Sequence, residues 1–192
     1  MAVSIERRAA DDLRFIRSAM ERGSTFTAVP GAGGVAMGTV GVVAAIIAST
    51  QPVGGRWLAT WLAAAVMGFA IGAWSIARKA AGAGLPLTGA VGRQFAIGLS
   101  APLVAGAALT LALAQEGHWT LLPPMWLLLY GAAVVTGSVV SIPVVLALGL
   151  CLMAAGLLAL VSPPQLGDVW LGAGFGLLQI VFGVHIWRKH GG

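Results

Sequence analysis

Few residues of this 192-residue chain could do chemistry, and those few are far apart in the sequence. Ser138 and His185 come closest to a nucleophile with its base. Ser138 lies near the carboxyl end of the fourth apolar run and His185 near that of the sixth, so both are expected on the same side of the membrane. Cys151, the single cysteine, is expected to be a small core residue, and one cysteine excludes a cysteine-cluster metal site. No Asp, Glu, Lys or Arg occupies the central part of an apolar run, so the buried carboxylate of ion-coupled transporters is missing. The sequence predicts no catalytic residue, no metal site and no cofactor.

The Ser138 and His185 pair is loosely similar to the arrangement in rhomboid-type intramembrane proteases. Those enzymes carry G-x-S-G around the nucleophile, whereas this chain reads T-G-S-V at 136–139. Rhomboid nucleophiles also lie towards the outer half of the membrane, while Ser138 is predicted at the inner edge, without an evident oxyanion hole. We therefore interpret His185 as an interfacial residue of the basic carboxyl terminus. An intramembrane hydrolase is kept as a remote alternative.

Gln179, Ser100 and Tyr130 are the polar residues expected to bond between helices or to line a polar pathway. Gln179 shares a helical stripe with Gly172 and must face another helix, either in an interhelical hydrogen bond or in a solute pocket. Ser100 lies two residues before Pro102, which removes a backbone donor and is expected to bend its helix. Such a bend can open a cavity or be filled by a neighbouring helix.

The composition indicates a membrane protein. Hydrophobic residues make up 58% of the chain and charged residues 9%, with a mean hydropathy of +0.93, whereas soluble domains carry about 25% charged residues. Six apolar runs each approach the ~20 residues that a bilayer core requires. They are 31–50, 57–77, 94–114, 119–139, 142–162 and 168–187, with a tight turn expected between the fourth and fifth. We predict an all-α bundle of six transmembrane helices over 30–192, after a cytoplasmic segment over 1–29.

The basic residues predict the orientation of this bundle. With six spans, ten of the eleven Lys and Arg residues fall on one side and only Arg56 falls on the other. Positive charge accumulates on the cytoplasmic side, so both termini are expected in the cytoplasm, with the spans in a bacterial inner membrane. This topology accounts for the net charge of +5 without nucleic-acid binding. Trp57, Trp119 and Trp170 begin spans on the external side, as an interfacial aromatic belt would.

Residues 4–22 predict an amphipathic helix on the cytoplasmic side. Its apolar residues fall within an arc of about 80° on a helical projection. They are Ile5, Ala9, Leu13, Ile16 and Met20. Such a helix can lie on the bilayer surface, dock on its own membrane domain, or dock on a membrane-protein partner.

Small residues recur at helical spacing in three of the spans. They predict faces where helix backbones approach closely, either within one chain or between two copies. The predicted packing positions are Gly34, Gly38, Gly41, Gly68, Gly72, Gly172, Gly176 and Gly183.

An internal repeat relates two parts of the chain. The segment 49–58 recurs at an offset of 113 residues as 162–171, with serine, glycine, tryptophan and leucine at equal spacing. Duplicated hairpins are common among small transporters. Interfacial tryptophan and glycine also recur because of topology alone, so the sequence leaves both explanations open.

The segment 14–34, RFIRSAMERGSTFTAVPGAGG, resembles the start of an uncharacterised group of bacterial six-span membrane proteins. The resemblance covers only these residues and implies no activity. In size and span count the chain is also similar to the substrate-binding subunits of energy-coupling vitamin transporters. It carries no motif of theirs, and its long charged amino terminus is a departure.

Two functions follow as expectations. The first is a non-enzymatic accessory, regulatory or scaffold subunit of an inner-membrane complex, because the chain has packing faces and a docking helix but no chemical site. The alternative is a small neutral-solute transporter or a membrane-embedded substrate-binding subunit, because the chain has six spans and a hairpin that recurs.

Overall fold

A computed structural model describes Val29 and residues 31–82 and 89–190. Within these residues every regular element is helical and there is no strand. Six helices are long and apolar enough to cross a membrane, as expected for a multi-pass membrane protein. The predicted helix over 4–22, with its docking residues Ile5, Leu13, Ile16 and Met20, lies outside the described part of the chain.

The helices are numbered in chain order. The first five are α1 (Gly31–Ser49), α2 (Gly55–Gly82), α3 (Ala90–Gln115), α4 (Leu122–Ser138) and α5 (Pro143–Val161). The sixth span, Pro164–Lys189, is composite. It contains a 3-10 turn (Pro164–Leu166), α6 (Gly167–Leu171), a π-helical segment (Gly172–Leu178) and α7 (Gln179–His190). The number of spans is as predicted, and α2 is longer than the predicted 57–77 at both ends.

Proline marks the start of two helices. Pro143 is the first residue of α5, and Pro123 and Pro124 lie in the first turn of α4. A proline there costs no hydrogen bond, because the first turn of a helix has no partner for its N–H groups. Between α4 and α5 the Ser141 N–H donates to the Ser138 carbonyl oxygen at 2.9 Å, which closes a tight turn.

Two pairs of spans form the centre of the bundle. α1 packs against the sixth span and α4 packs against α5, while the sixth span also contacts α4 and α5. α2 packs on α1, and α3 packs on α4. In the most apolar stretch of each helix, only 17% of the α2 residues and 11% of the α3 residues are buried, compared with 44% in the fourth span. α2 and α3 are therefore the outer helices. Cys151 is also exposed, on α5, rather than part of the core that was expected for it.

Glycines allow α1 and the sixth span to approach at backbone distance. A Cβ atom built on Gly38 would lie 2.6 Å from the Gly176 carbonyl oxygen, and one on Gly34 would lie 3.1 Å from the Gly183 Cα atom. Gly41 likewise faces the backbone of the π-helical segment. At this spacing the two helices gain dispersion contacts that a side chain would prevent.

The other predicted packing glycines have different surroundings. A Cβ on Gly172 would lie 2.9 Å from the Ala45 Cβ, and one on Gly72 would lie 3.0 Å from the Met37 Sδ atom. Gly68 has no described atom within 4 Å of the Cβ position, so the packing role expected for it is not observed. Gly68 and Gly72 are four residues apart and share one face of α2, so α1 comes close to this face at Gly72 and not at Gly68.

α3 and α4 are joined where a proline interrupts the hydrogen bonds of α3. Pro102 has no N–H, so the Gly98 carbonyl loses its partner four residues along the helix. The Thr136 hydroxyl of α4 donates to this carbonyl oxygen at 2.6 Å. A Cβ on Gly98 would lie 3.0 Å from the Thr136 carbonyl carbon, so glycine permits the approach. The neighbouring helix thus replaces the donor that the proline removes.

Replacing Thr136 by valine is expected to lower the free energy of unfolding by about 1 kcal/mol, because the Gly98 carbonyl is then left without a donor. The measurement is unfolding in mixed micelles with increasing dodecyl sulfate, followed by helical circular dichroism. Thr39→Val is the control, since the Thr39 hydroxyl bonds only to Val35 of its own helix. Equal effects of the two substitutions would contradict this role of Thr136.

Candidate functional site

Asp168 and two tryptophans form the polar part of a cluster at one end of the bundle. Asp168 is in the first turn of α6, where a carboxylate is favoured by the positive end of the helix dipole. Its Oδ1 atom accepts hydrogen bonds from Trp57 Nε1 at 2.7 Å and from Trp61 Nε1 at 3.0 Å. Trp57 and Trp61 are four residues apart on α2 and therefore share one helix face. Asp168 thus connects α2 to the sixth span, both of which also pack against α1.

Aromatic contacts extend this cluster to α3 and α4. The rings of Trp57 and Trp126 are stacked, with centroids 5.7 Å apart and planes 7° apart. Trp126 Nε1 donates to the Thr110 hydroxyl at 2.8 Å, and Thr110 in turn donates to the Gly106 carbonyl at 2.7 Å. A continuous series of side-chain contacts therefore runs from the carboxylate of the sixth span through α2 and α4 to α3.

Gln179 and Tyr130 meet deeper in the same region. Gln179, which is 5% exposed, donates from Nε2 to the Tyr130 hydroxyl oxygen at 2.9 Å. The Tyr130 ring contacts Phe175 edge-on, with centroids 5.3 Å apart, and Phe175 contacts Trp61 at 6.4 Å. Two of the three residues predicted for a polar pathway or interhelical bond are thus joined to each other, one from α4 and one from the sixth span.

The π-helical segment positions Phe175 and Gln179. π-Helical segments are rare, and they occur frequently at functional sites. This one is rich in glycine: Gly174 faces Leu127 of α4, and Gly176 faces Val42 of α1. A side chain at either position would collide with the facing helix. The π-helical segment can therefore lie this close to α1 and α4 because these two positions are glycine.

The third predicted polar residue, Ser100, lies apart from this cluster. Ser100 is exposed on α3, and its hydroxyl donates to the Ile97 carbonyl of its own helix at 3.0 Å. Ser138, the residue closest to a nucleophile, donates to the Val135 carbonyl at 2.6 Å. His185 is exposed, and its side chain forms no hydrogen bond with any described residue. Within the described part of the chain, no base forms a hydrogen bond with the Ser138 hydroxyl.

Most polar atoms of the cluster are paired with one another. Asp168 accepts two indole donors, Trp126 has Thr110, and Gln179 has Tyr130. Among the described residues, Trp170 Nε1 is the one buried side-chain donor or acceptor without a partner. Paired groups in an apolar environment fix helix positions, because each donor would lose a hydrogen bond on separation. The cluster can therefore hold four spans together, and it leaves few groups free to act on a substrate.

Two apolar grooves open along the sides of the bundle. The α1–α2 groove has a volume of about 380 Å³ and lies between Val43 and Ile47 of α1 and Ala63 and Met67 of α2. A second groove of about 320 Å³ is lined entirely by apolar residues of α3, α4, α5 and the turn before α4. Both are open to the side, where the membrane would lie.

The hydrogen bonds from Trp57 and Trp61 to Asp168 are not predicted by the sequence. The sequence predicts Trp57 as a residue of the interfacial belt, and Asp168 is the first residue of the sixth apolar run, but Trp57 is 2% exposed and Trp61 4% exposed. The available signal was the spacing of Trp57 and Trp61, which places two indoles on one helix face, with an acidic residue expected on the same side. Trp74 and Trp187, near the opposite ends of their helices, are exposed as belt residues would be.

Comparisons of this chain with protein-family models, with curated proteins and with solved structures found no match.

Proposed function

We propose that this chain is a non-enzymatic membrane subunit that acts as an accessory, regulatory or scaffold component of an inner-membrane complex. The observation that carries the proposal is the mutual pairing of the polar groups inside the bundle, from Asp168 to the bond between Gln179 and Tyr130. A bundle whose interior groups bond to one another is suited to holding a fixed shape. Its surface is then the part that can take part in a complex.

The outer helices supply that surface. α2 and α3 each contact one neighbouring span closely and expose large apolar side chains such as Phe69, at 70%, and Val104, at 68%. Such faces can contact lipid as favourably as protein, because lipid tails are equally apolar. Association of helices in the membrane therefore depends on close van der Waals packing rather than on the hydrophobic effect.

The proposed orientation has both termini in the cytoplasm. Among the described residues, five of the six Lys and Arg residues lie at the end of the bundle where α2 ends and α3 begins. They are Arg78, Lys79, Arg93, Arg188 and Lys189. Arg56 lies alone at the opposite end, with the Asp168 cluster. This asymmetry supports a cytoplasmic position for the basic end.

Native mass spectrometry after gentle extraction from the native membrane tests this function. The expected result is a stable assembly in which the chain is bound stoichiometrically to another membrane protein or to a second copy of itself. A chain that leaves the membrane only as a monomer, at an extraction strength that keeps other complexes intact, would contradict the proposal.

A second candidate is the handling of a small neutral solute. The observation that favours it is the π-helical segment next to the buried Gln179–Tyr130 pair, since such segments frequently mark functional sites. The same spectra distinguish the two functions. A small molecule retained by the monomer, and lost when Gln179 is replaced by leucine, would favour solute handling over the scaffold function.

A further inference from the structure

The α1–α2 groove lies entirely within one half of the bundle. Along α2 it extends from Thr60 to Met67, a rise of about 10 Å at 1.5 Å per residue. The hydrocarbon core of a bilayer is about 30 Å thick, so each leaflet contributes about 15 Å. The groove therefore extends over about two thirds of one leaflet's interior, and it begins near the end of α2 that carries Arg56.

Arg56 continues the groove towards that end of the bundle. Arg56, Thr60, Ala63 and Met67 follow one another at steps of four, three and four residues, which places them on one face of α2. The Arg56 side chain is exposed and bonds to no described residue. One turn separates it from the groove, a distance of about 6 Å along the helix.

A second donor group lies beside Arg56. The Thr60 hydroxyl donates to the Gln51 Oε1 atom at 3.1 Å, so the Gln51 amide lies next to Thr60, a residue that lines the groove. The Gln51 NH₂ group makes no hydrogen bond with any described residue. A guanidinium and an amide, both rich in donors, thus lie next to a long apolar groove. Phosphate oxygens are the acceptors that such donors bind best.

We propose that the α1–α2 groove binds one anionic phospholipid of the leaflet at the Arg56 end. Its phosphate bonds to Arg56 and Gln51, and one acyl chain lies along Val43, Ala63 and Met67.

The charge beside the groove favours a lipid over a helix of a second copy. The groove lies between two helices that pack on each other, its lining is almost entirely apolar, and the exposed Arg56 lies one turn beyond its end. An acyl chain suits the apolar lining, and the adjacent positive charge selects for an anionic headgroup.

The test uses the full-length protein in detergent with an equimolar mixture of phosphatidylglycerol and phosphatidylethanolamine of equal chain length. Native mass spectrometry counts the lipids retained on each protein. The wild type is expected to retain one phosphatidylglycerol in preference to phosphatidylethanolamine. Arg56→Gln is expected to reduce that preference about fivefold, the effect of one cation at a membrane surface. Inorganic phosphate added at millimolar concentration is expected not to displace the lipid.

Two matched controls distinguish lipid binding in this groove from a general attraction of anionic lipid to positive charge on the protein. Arg93→Gln removes an exposed arginine at the opposite end of the bundle and is expected to leave the preference unchanged. Ala63→Phe fills the groove and is expected to remove the retained lipid, whereas Ala65→Phe, on the same helix but outside the groove, is not. If Ala63→Phe does not fold, Val43→Trp fills the groove from α1.

Three results would overturn the proposal. The first is a wild type with no preference for the anionic lipid, and the second is equal behaviour of Arg56→Gln and Arg93→Gln. The third is a wild-type dimer that Ala63→Phe converts to a monomer without changing lipid retention, since the groove would then hold a second copy of the chain.

Discussion

Replacing Gly38 by alanine is expected to lower the free energy of unfolding by about 3 kcal/mol. The added Cβ would lie 2.6 Å from the Gly176 carbonyl oxygen and 2.8 Å from the Ile180 backbone nitrogen. Both atoms belong to the backbone of the sixth span, so rotation of a side chain cannot relieve the collision. α1 and the sixth span must move apart, and the dispersion contacts along their whole interface weaken.

Gly68 supplies the matched control for this prediction. It is also a glycine inside a transmembrane helix at a small-residue spacing, but no described atom lies within 4 Å of its Cβ position. Gly68→Ala is expected to leave stability unchanged or to raise it by up to about 1 kcal/mol, because alanine is the better helix former.

Unfolding of both variants in dodecyl sulfate, followed by tryptophan fluorescence and helical circular dichroism, measures the difference. If Gly38→Ala and Gly68→Ala change the unfolding midpoint equally, then the close approach of α1 and the sixth span is not what stabilises this bundle.

The contrast between Gly38 and Gly68 shows how much of the helix packing can be predicted from the sequence. Apolar runs predict six spans because the bilayer sets their length and the backbone must be satisfied within each helix. Spacing then predicts which residues share a face. It does not predict which face has a neighbour, since apolar lipid and apolar protein require the same residue types. For α1 the glycine face meets the backbone of the sixth span, while on α2 no described atom lies within 4 Å of the Cβ position of Gly68.

The polar contacts depend on the same missing information. Gln179 was expected to bond across helices or to line a pocket, but its partner could not be named until α4 was known to lie beside the sixth span. The hydrogen bonds of Asp168 are harder still to predict, because they join residues that are 107 and 111 positions apart in the sequence. Each indole alone is typical of an interfacial belt. Only the approach of α2 to the start of the sixth span makes them donors to one carboxylate.

Replacing Asp168 by alanine is expected to destabilise the protein by about 3 kcal/mol. The change leaves two indole N–H groups, on side chains that are 2% and 4% exposed, without an acceptor. Each buried donor left unpaired costs about 1–3 kcal/mol. Asp168→Asn keeps a carbonyl oxygen in place of Oδ1 and loses only the charge, so about half of this effect is expected. Dodecyl sulfate unfolding followed by helical circular dichroism gives both values.

A double-mutant cycle tests whether the loss comes from these hydrogen bonds. Trp57→Phe removes one donor and keeps an aromatic ring against Trp126. Combined with Asp168→Ala it is expected to cost less than the sum of the two single changes, by about 1 kcal/mol or more, because each removes the same bond. Glu116→Ala is the control, since Glu116 is an exposed carboxylate at the same end of the bundle. Additive effects in the cycle, or an equal loss from Glu116→Ala, would mean that the carboxylate does not hold α2 against the sixth span.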